Sequence, residues 1–162
     1  MQVSVDTIVD APPDVVFQAA ADIAGWPAFI SGIQSVELLT PGPIAVGTRL
    51  RETRVMFGRS ATEEMTIAEL APPQRFVLTA FNHGTAYRAE HRFEPMGRQT
   101  RLILVFEGRP VRLLARLFTP LGWLFAGTLR RQLAADLADL KGEAERRAGA
   151  IPVQPERPRP AG

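Results

Sequence analysis

The stretch that decides the fold is Thr85-Ala86-Tyr87-Arg88-Ala89-Glu90-His91-Arg92-Phe93-Glu94. Its side chains alternate between apolar or aromatic and charged from one residue to the next. The first set of side chains is mainly aromatic or small and comprises Tyr87, Ala89, His91 and Phe93, whereas the second set is charged and comprises Arg88, Glu90, Arg92 and Glu94. Because successive side chains of a strand point to opposite faces, this alternation predicts a strand with one face on an apolar interior and the other in water.

Segments with the same period of two lie on both sides of this strand. They are Gln2 to Val9, Gln34 to Leu39, Thr48 to Phe57, Ala61 to Leu70, Arg75 to Phe81 and Thr100 to Gly108. The connections after the second segment are short and rich in glycine, proline and asparagine, which are turn residues. Parallel neighbours need crossovers of a dozen or more residues, so short connections favour antiparallel pairing. The sequence therefore predicts a curved antiparallel sheet of seven strands.

Helical patterns occur in two places. Val15 to Ala21 follows a Pro-Pro pair and reads as a short helix, and Trp26 to Ile30 reads as a second short helical turn after Gly25. The one long helical stretch runs from Val111 to about Arg147, with leucines at helical spacing at positions 129, 133, 137 and 140. The expected fold class is α+β: two short helices between strands one and two, and a long C-terminal helix held by the sheet.

Length and composition indicate one globular domain. The chain has 162 residues, of which 46% are hydrophobic and 22% are charged. We assign the domain to residues 1–148, and expect the proline- and arginine-rich residues 149–162 to be a disordered tail.

Composition also excludes several functions. The chain has no cysteine and two histidines, so neither a thiolate metal site nor a cysteine nucleophile is available, and we expect no metal. No glycine-rich phosphate loop is present, and we expect no cofactor. The net charge is +2 and arginines alternate with glutamates, which gives no reason to propose nucleic acid. The N-terminus lacks the pattern of a secretory signal, so we expect a cytoplasmic protein.

A single helix is narrower than the apolar face of a curved seven-stranded sheet, and we therefore expect an internal cavity. Such sites are mainly apolar, with a few polar groups that orient the ligand. The candidate ligand-binding residues are Trp26, Phe29, Leu50, Glu52, Arg54, Met56, Met65, Ile67, Phe76, Leu78, Tyr87, His91, Phe93, Leu104, Phe106, Leu117, Leu121, Leu124 and Phe125.

Glu52 and Arg54 are the charged members of this set. They share the strand parity of Leu50 and Met56, which turns them toward the interior, where they would pair or meet a polar ligand group. A register slip of one residue would place them outside in a surface ladder instead. Glu63 and Glu64 are adjacent in a strand and are predicted to face opposite ways, so they do not form a carboxylate dyad with each other.

Several segments carry a family resemblance. They are Ile8 to Phe17, Asp22 with Trp26-Pro27 and Phe29-Ile30, Val46 to Leu50, Glu69 to Phe76, and Leu129 to Glu145. In their order and spacing the chain resembles the START-like, helix-grip (SRPBCC) superfamily, and within it the polyketide cyclase/dehydrase and lipid-transport branch. The resemblance implies a hydrophobic pocket gripped between sheet and helix, but no particular reaction. Phe17 and Phe29 stand where members often have tryptophan.

Three functions remain open at this point. The first is non-catalytic binding or carriage of a small hydrophobic molecule such as a lipid, isoprenoid or polyketide. The second is a polyketide cyclase or aromatase in which His91 or Tyr87 moves a proton. The third is a module that binds a partner protein through the groove. The apolar run Leu113 to Leu129 is compatible with a patch for a homodimer or with a transient membrane contact.

Overall fold

The computed structural model describes residues 1–56, 58–111 and 119–150, and within the last range the side chains of 126–149. Its strands are β1 (Gln2–Val9), β2 (Ile33–Leu38), β3 (Arg49–Met56), β4 (Arg59–Ala71), β5 (Arg75–Asn82), β6 (Thr85–Met96) and β7 (Gln99–Pro110). They form one curved sheet in the order β1-β7-β6-β5-β4-β3-β2, and every pairing is antiparallel. The predicted seven-stranded antiparallel sheet is confirmed.

The strand ends differ from the predicted ones by up to two residues, and the difference at the β3–β4 hairpin has consequences for the site. β4 begins at Arg59, two residues before the predicted start, because Met56 of β3 pairs directly with Arg59. Gly58 lies between them with a φ of 74°, a backbone conformation that glycine adopts without strain. This tight connection sets which side chains of β3 and β4 lie opposite one another.

The helices are α1 (Pro13–Ala21), α2 (Trp26–Phe29) and α3 (Thr119–Ala150), with a 3-10 turn at Ile23–Gly25. Two short helices and one long helix are confirmed. The predicted start of the long helix at Val111 is wrong, because Val111 lies outside any helix and donates its backbone N–H to the carbonyl of Gly84. Residues 149 and 150, predicted as tail, extend α3, and the rest of the predicted tail lies outside the described residues.

The core lies between the concave face of the sheet and the apolar stripe of α3. Leu129, Leu133, Leu137 and Leu140 are all buried in that stripe. At the α1 end, Phe17 packs edge-on against the rings of Phe76 and Phe93, at centroid distances of 6.2 and 5.3 Å. The Trp26 indole N–H donates to the carbonyl of Ala20 at 3.0 Å, which satisfies the polar atom of this buried ring. This half of the sheet is packed tightly.

The convex face of β6 bears the predicted charged residues. Glu90 accepts hydrogen bonds from Arg88 at 2.6 Å and from Arg92 at 2.8 Å. The hydrogen bond from Arg92 is the largest of the influences that lower the pKa of Glu90 to about 2.

Among the described residues, no helix is long and apolar enough to cross a bilayer.

Candidate ligand-binding cavity

A cavity of about 300 Å³ lies between the sheet and α3, at the end of the sheet away from α1. Most of its wall is apolar. The described residues that line it are Met1, Glu52, Arg54, Met56, Glu63, Met65, Leu78, Thr79, Ala80, Tyr87, Ala89, Phe106, Leu129 and Leu133. Its volume is at the lower end of the range found for small-molecule sites, which is about 300–1,000 Å³. The space therefore fits one small ligand.

Seven of the residues named from the sequence meet at this cavity: Glu52, Arg54, Met56, Met65, Leu78, Tyr87 and Phe106. The structure does not bring eight others to it, and they pack in the core instead: Trp26, Phe29, Leu50, Ile67, Phe76, His91, Phe93 and Leu104. Strand parity assigned the six strand residues of this group to the inner face, whereas Trp26 and Phe29 belong to α2. The helices cover much of that face. The Leu117, Leu121, Leu124 and Phe125 side chains lie outside the described residues.

His91 illustrates the difference between facing inward and facing the cavity. Its ring stacks on Phe76 at a centroid distance of 4.3 Å, within the packed half of the core. Among the described residues its Nδ1 atom has no hydrogen-bond partner, although it is buried. Burial lowers the pKa of His91 to about 4, so the ring is neutral at physiological pH. These features describe a core histidine rather than one that contacts a ligand in the cavity.

The polar part of the cavity is centred on Arg54. Its Nη2 atom donates to both carboxylate oxygens of Asp136 on α3, at 2.9 and 2.6 Å. Gly32 makes this approach possible, since a Cβ atom there would lie 3.1 Å from Nη2 and 3.3 Å from the Asp136 Oδ1 atom. Burial raises the pKa of Asp136, and the charge of Arg54 acts in the opposite direction. Sheet and helix are therefore joined by a largely buried ion pair beside the cavity.

Glu52 lines the same end of the cavity and is only 6% exposed. The nearest cationic atom is Nη1 of Arg54, at 3.6 Å, which is beyond hydrogen-bonding distance. Within the described part of the chain, no donor forms a hydrogen bond with this carboxyl group. Burial raises the pKa of Glu52 to about 7, while Arg54 opposes the shift and Asp136 and Glu63 add to it.

Glu63 is the third charged residue at the polar end of the cavity. The sequence did not predict that it lies beside Glu52. The two residues lie directly opposite each other in the β3–β4 ladder. Glu63 accepts a hydrogen bond from Nδ2 of Asn82 and lines the cavity, whereas Glu64 lies on the convex face and pairs with Arg49 and Arg51. Gly58 was the available signal, because a two-residue connection between positions 56 and 59 places residue 52 opposite residue 63.

Asp136 was the second omission. The leucine stripe of α3 was recognised, but position 136 lies three residues after Leu133 and four before Leu140 and is therefore on the same helical face. An acidic residue within a buried stripe signals a partner on the opposing element. Arg54 was the basic residue already predicted to face inward.

Tyr87 lies at the β6–β7 side of the cavity. Its ring packs against Phe106 at a centroid distance of 5.8 Å. Gly108 on the neighbouring strand allows this position, since a Cβ atom there would lie 3.3 Å from Cε1 of Tyr87. The Met1 α-ammonium group donates to the carbonyl of Gly108 at 3.0 Å.

In the described ranges, no three histidine, aspartate or glutamate side chains are grouped so that they could hold a metal ion.

A seven-stranded sheet that grips a long C-terminal helix around an apolar cavity defines a START-like, helix-grip protein. The chain belongs to the family described as polyketide cyclase / dehydrase and lipid transport, which matches residues 1–145. The predicted family is confirmed. No curated protein matches the chain.

Solved structures share the fold at low sequence identity. The aromatase/cyclase Zhui from a Streptomyces species is 23% identical, with a TM-score of 0.77, over 93% of this chain and 96% of that chain. TTHA0849 from Thermus thermophilus is 19% identical, with a TM-score of 0.73, over 93% and 100%. A START superfamily protein from Mycobacterium smegmatis is 16% identical, with a TM-score of 0.66, over 91% and 97%. At these identities the likeness concerns the fold alone.

Proposed function

We propose that this protein binds one small hydrophobic molecule in the cavity and carries it without changing it covalently. The observation that supports this most directly is a cavity of about 300 Å³ whose wall is apolar except for one polar end. Burying a ligand's apolar surface there supplies binding free energy, at roughly 25 cal/mol for each Å² removed from water. The polar end supplies orientation.

The first experiment is identification of the natural ligand. Protein purified from its own host is analysed by native mass spectrometry, and solvent extracts are analysed by liquid chromatography and mass spectrometry. A stoichiometric small apolar molecule supports the proposal. Co-purification of a stoichiometric protein, with nothing extracted by solvent, contradicts it and favours the interaction module.

A cavity-filling substitution provides a test with a defined probe. Ala89→Phe places an aromatic ring in the space between Leu78 and Phe106, and is expected to weaken binding of the neutral fluorophore N-phenylnaphthylamine. Excluding the equivalent of two buried methylenes costs about 1.6 kcal/mol, or about ten-fold or more in Kd. Fluorescence titration measures the affinity, and circular dichroism checks that the variant folds.

The matched control is Ala68→Phe, the same change on an exposed position of β4. It is expected to leave the affinity for the probe unchanged. Equal losses in the two variants would show that the probe binds elsewhere, and would contradict the assignment of the cavity as the ligand site.

A second candidate function, cyclisation or dehydration of a polyketide, is favoured by one observation. Glu52 lines the cavity with a pKa of about 7, and a group with that pKa can accept and donate a proton near neutral pH. The test is co-expression with a polyketide synthase that lacks its own cyclase. If the protein is an enzyme, the wild type changes the cyclised products and the Glu52→Gln and Tyr87→Phe variants do not, although both still bind N-phenylnaphthylamine.

A further inference from the structure

Among the described residues, the charges at the β3–β4 end of the cavity do not balance. One guanidinium group, that of Arg54, lies beside the carboxyl groups of Asp136 and Glu52, and a third carboxyl group, that of Glu63, lies opposite Glu52 in the ladder. Asp136 already accepts two hydrogen bonds from that guanidinium. The positive charge is therefore compensated before a ligand enters, and two further carboxyl groups line the cavity.

Glu52 is the carboxyl group in this cluster that lacks a hydrogen-bond donor among the described residues. It is more than nine-tenths buried, it lines the cavity, and among the described residues it receives no hydrogen bond. A buried carboxylate without donors is strongly disfavoured, so the site stabilises whatever brings donors or positive charge to Glu52. Glu63 is held in place by Asn82 and faces the same space.

Among the described residues, the other cationic group at the cavity is the Met1 α-ammonium, which is bound to the carbonyl of Gly108 on β7. β7 is three strands from β4 in the sheet, a separation of roughly 14 Å at about 4.8 Å for each strand. It therefore does not neutralise Glu52 and Glu63. A ligand carboxylate placed at this end would lie beside three carboxyl groups. The Nη2 atom of Arg54 already donates to Asp136, whereas its Nε atom is buried without a hydrogen-bond partner among the described residues.

We propose, on the basis of the carrier function above, that the cavity selects hydrophobic molecules that bear a single protonated amine. The ammonium group binds between Glu52 and Glu63 while the apolar body fills the space under α3. Residues directly opposite in an antiparallel ladder have Cβ atoms about 4.5–5.5 Å apart, and an ammonium group has three donors. One ammonium group therefore reaches both carboxylates. Arg54, which was predicted to pair or to meet a polar ligand group, pairs with Asp136.

Three probes of equal chain length test this selection: decylamine, decanol and decanoate, titrated by isothermal calorimetry at pH 8. The expected order of affinity is decylamine, then decanol, then decanoate. A charge-assisted hydrogen bond contributes about 1.5–3 kcal/mol, so decylamine is expected to bind about ten-fold or more tightly than decanol. Glu52→Gln is expected to remove most of that preference, measured as the ratio of the decylamine and decanol affinities of the same variant.

The control variant is Glu64→Gln, which changes a carboxylate on the convex face and is expected to leave all three affinities unchanged. Lowering the pH to 5.5 protonates Glu52 and is expected to weaken decylamine binding. The charged groups that act on Glu52 are Arg54 on β3, Glu63 on β4 and Asp136 on α3.

The outcomes separate the two proposals. If decanol or decanoate binds as tightly as decylamine, or if Glu64→Gln reduces the preference as much as Glu52→Gln does, the amine selection is wrong and the carrier function stands. If none of the three probes binds, the carrier function fails and the amine selection fails with it.

Discussion

Arg54→Met is expected to destabilise the fold by about 3–5 kcal/mol at pH 8, the range for removing one partner of a buried ion pair. Arg54 provides the cationic partner of Asp136 and lies 3.6 Å from Glu52, and the side chains of both ion-pair members are less than one fifth exposed. Methionine fills much of the same volume but leaves the carboxylates uncompensated. At pH 5 the loss is expected to be smaller, because Glu52, whose pKa burial raises to about 7, is then protonated and no longer needs a positive charge beside it.

Urea denaturation at both pH values measures the effect. The control is Arg51→Met, which removes an exposed arginine of the same strand and is expected to cost at most about 1 kcal/mol. The double variant Arg54→Met/Asp136→Leu removes the pair as a unit and is expected to regain much of the stability. If Arg54→Met is as stable as Arg51→Met, the ion pair does not stabilise the contact between sheet and helix.

Because of His91, the free energy of unfolding of the wild type is expected to fall by about 3 kcal/mol between pH 7 and pH 4. The His91→Phe variant is expected not to show this decrease. In the unfolded chain the histidine has its ordinary pKa of 6.5, whereas burial lowers it to about 4 in the fold. As pH falls from 6.5 to 4, the unfolded state takes up a proton and the folded state does not, so stability decreases. At about 1.36 kcal/mol for each pKa unit, the difference corresponds to about 3 kcal/mol, and phenylalanine retains the stack on Phe76.

The measurement is the free energy of unfolding of wild type and variant from pH 7 to pH 4. The difference between the two curves is expected to grow as pH falls. His83→Asn, in the exposed turn between β5 and β6, is the histidine control and is expected to follow the wild-type curve. If the curves of wild type and His91→Phe stay parallel, His91 is protonated in the folded state and the interpretation of its burial is wrong.

Only part of the cavity lining could be predicted from the sequence. Alternation along β6 predicts Tyr87 on the concave face, whereas Glu52 and Arg54 on β3 could face the interior or, with a register slip, the surface. In the structure all three line the cavity. The same rule placed Leu50 and His91 inside, where they pack in the core away from the cavity. Parity assigns a face and not a position on that face. Which part of the face stays open depends on where α1, α2 and α3 lie across it.

The sequence by itself determined the number and order of the strands and the main helices, and for most strands the division into an inner and an outer face. These follow from local chemistry: a period of two, a period of 3.6 and the turn residues between them. Only the tertiary structure decided that Glu52 lies opposite Glu63 and that Arg54 meets Asp136. Those pairs depend on hairpin register and helix placement, which are set by packing between residues as far as 82 positions apart in the chain.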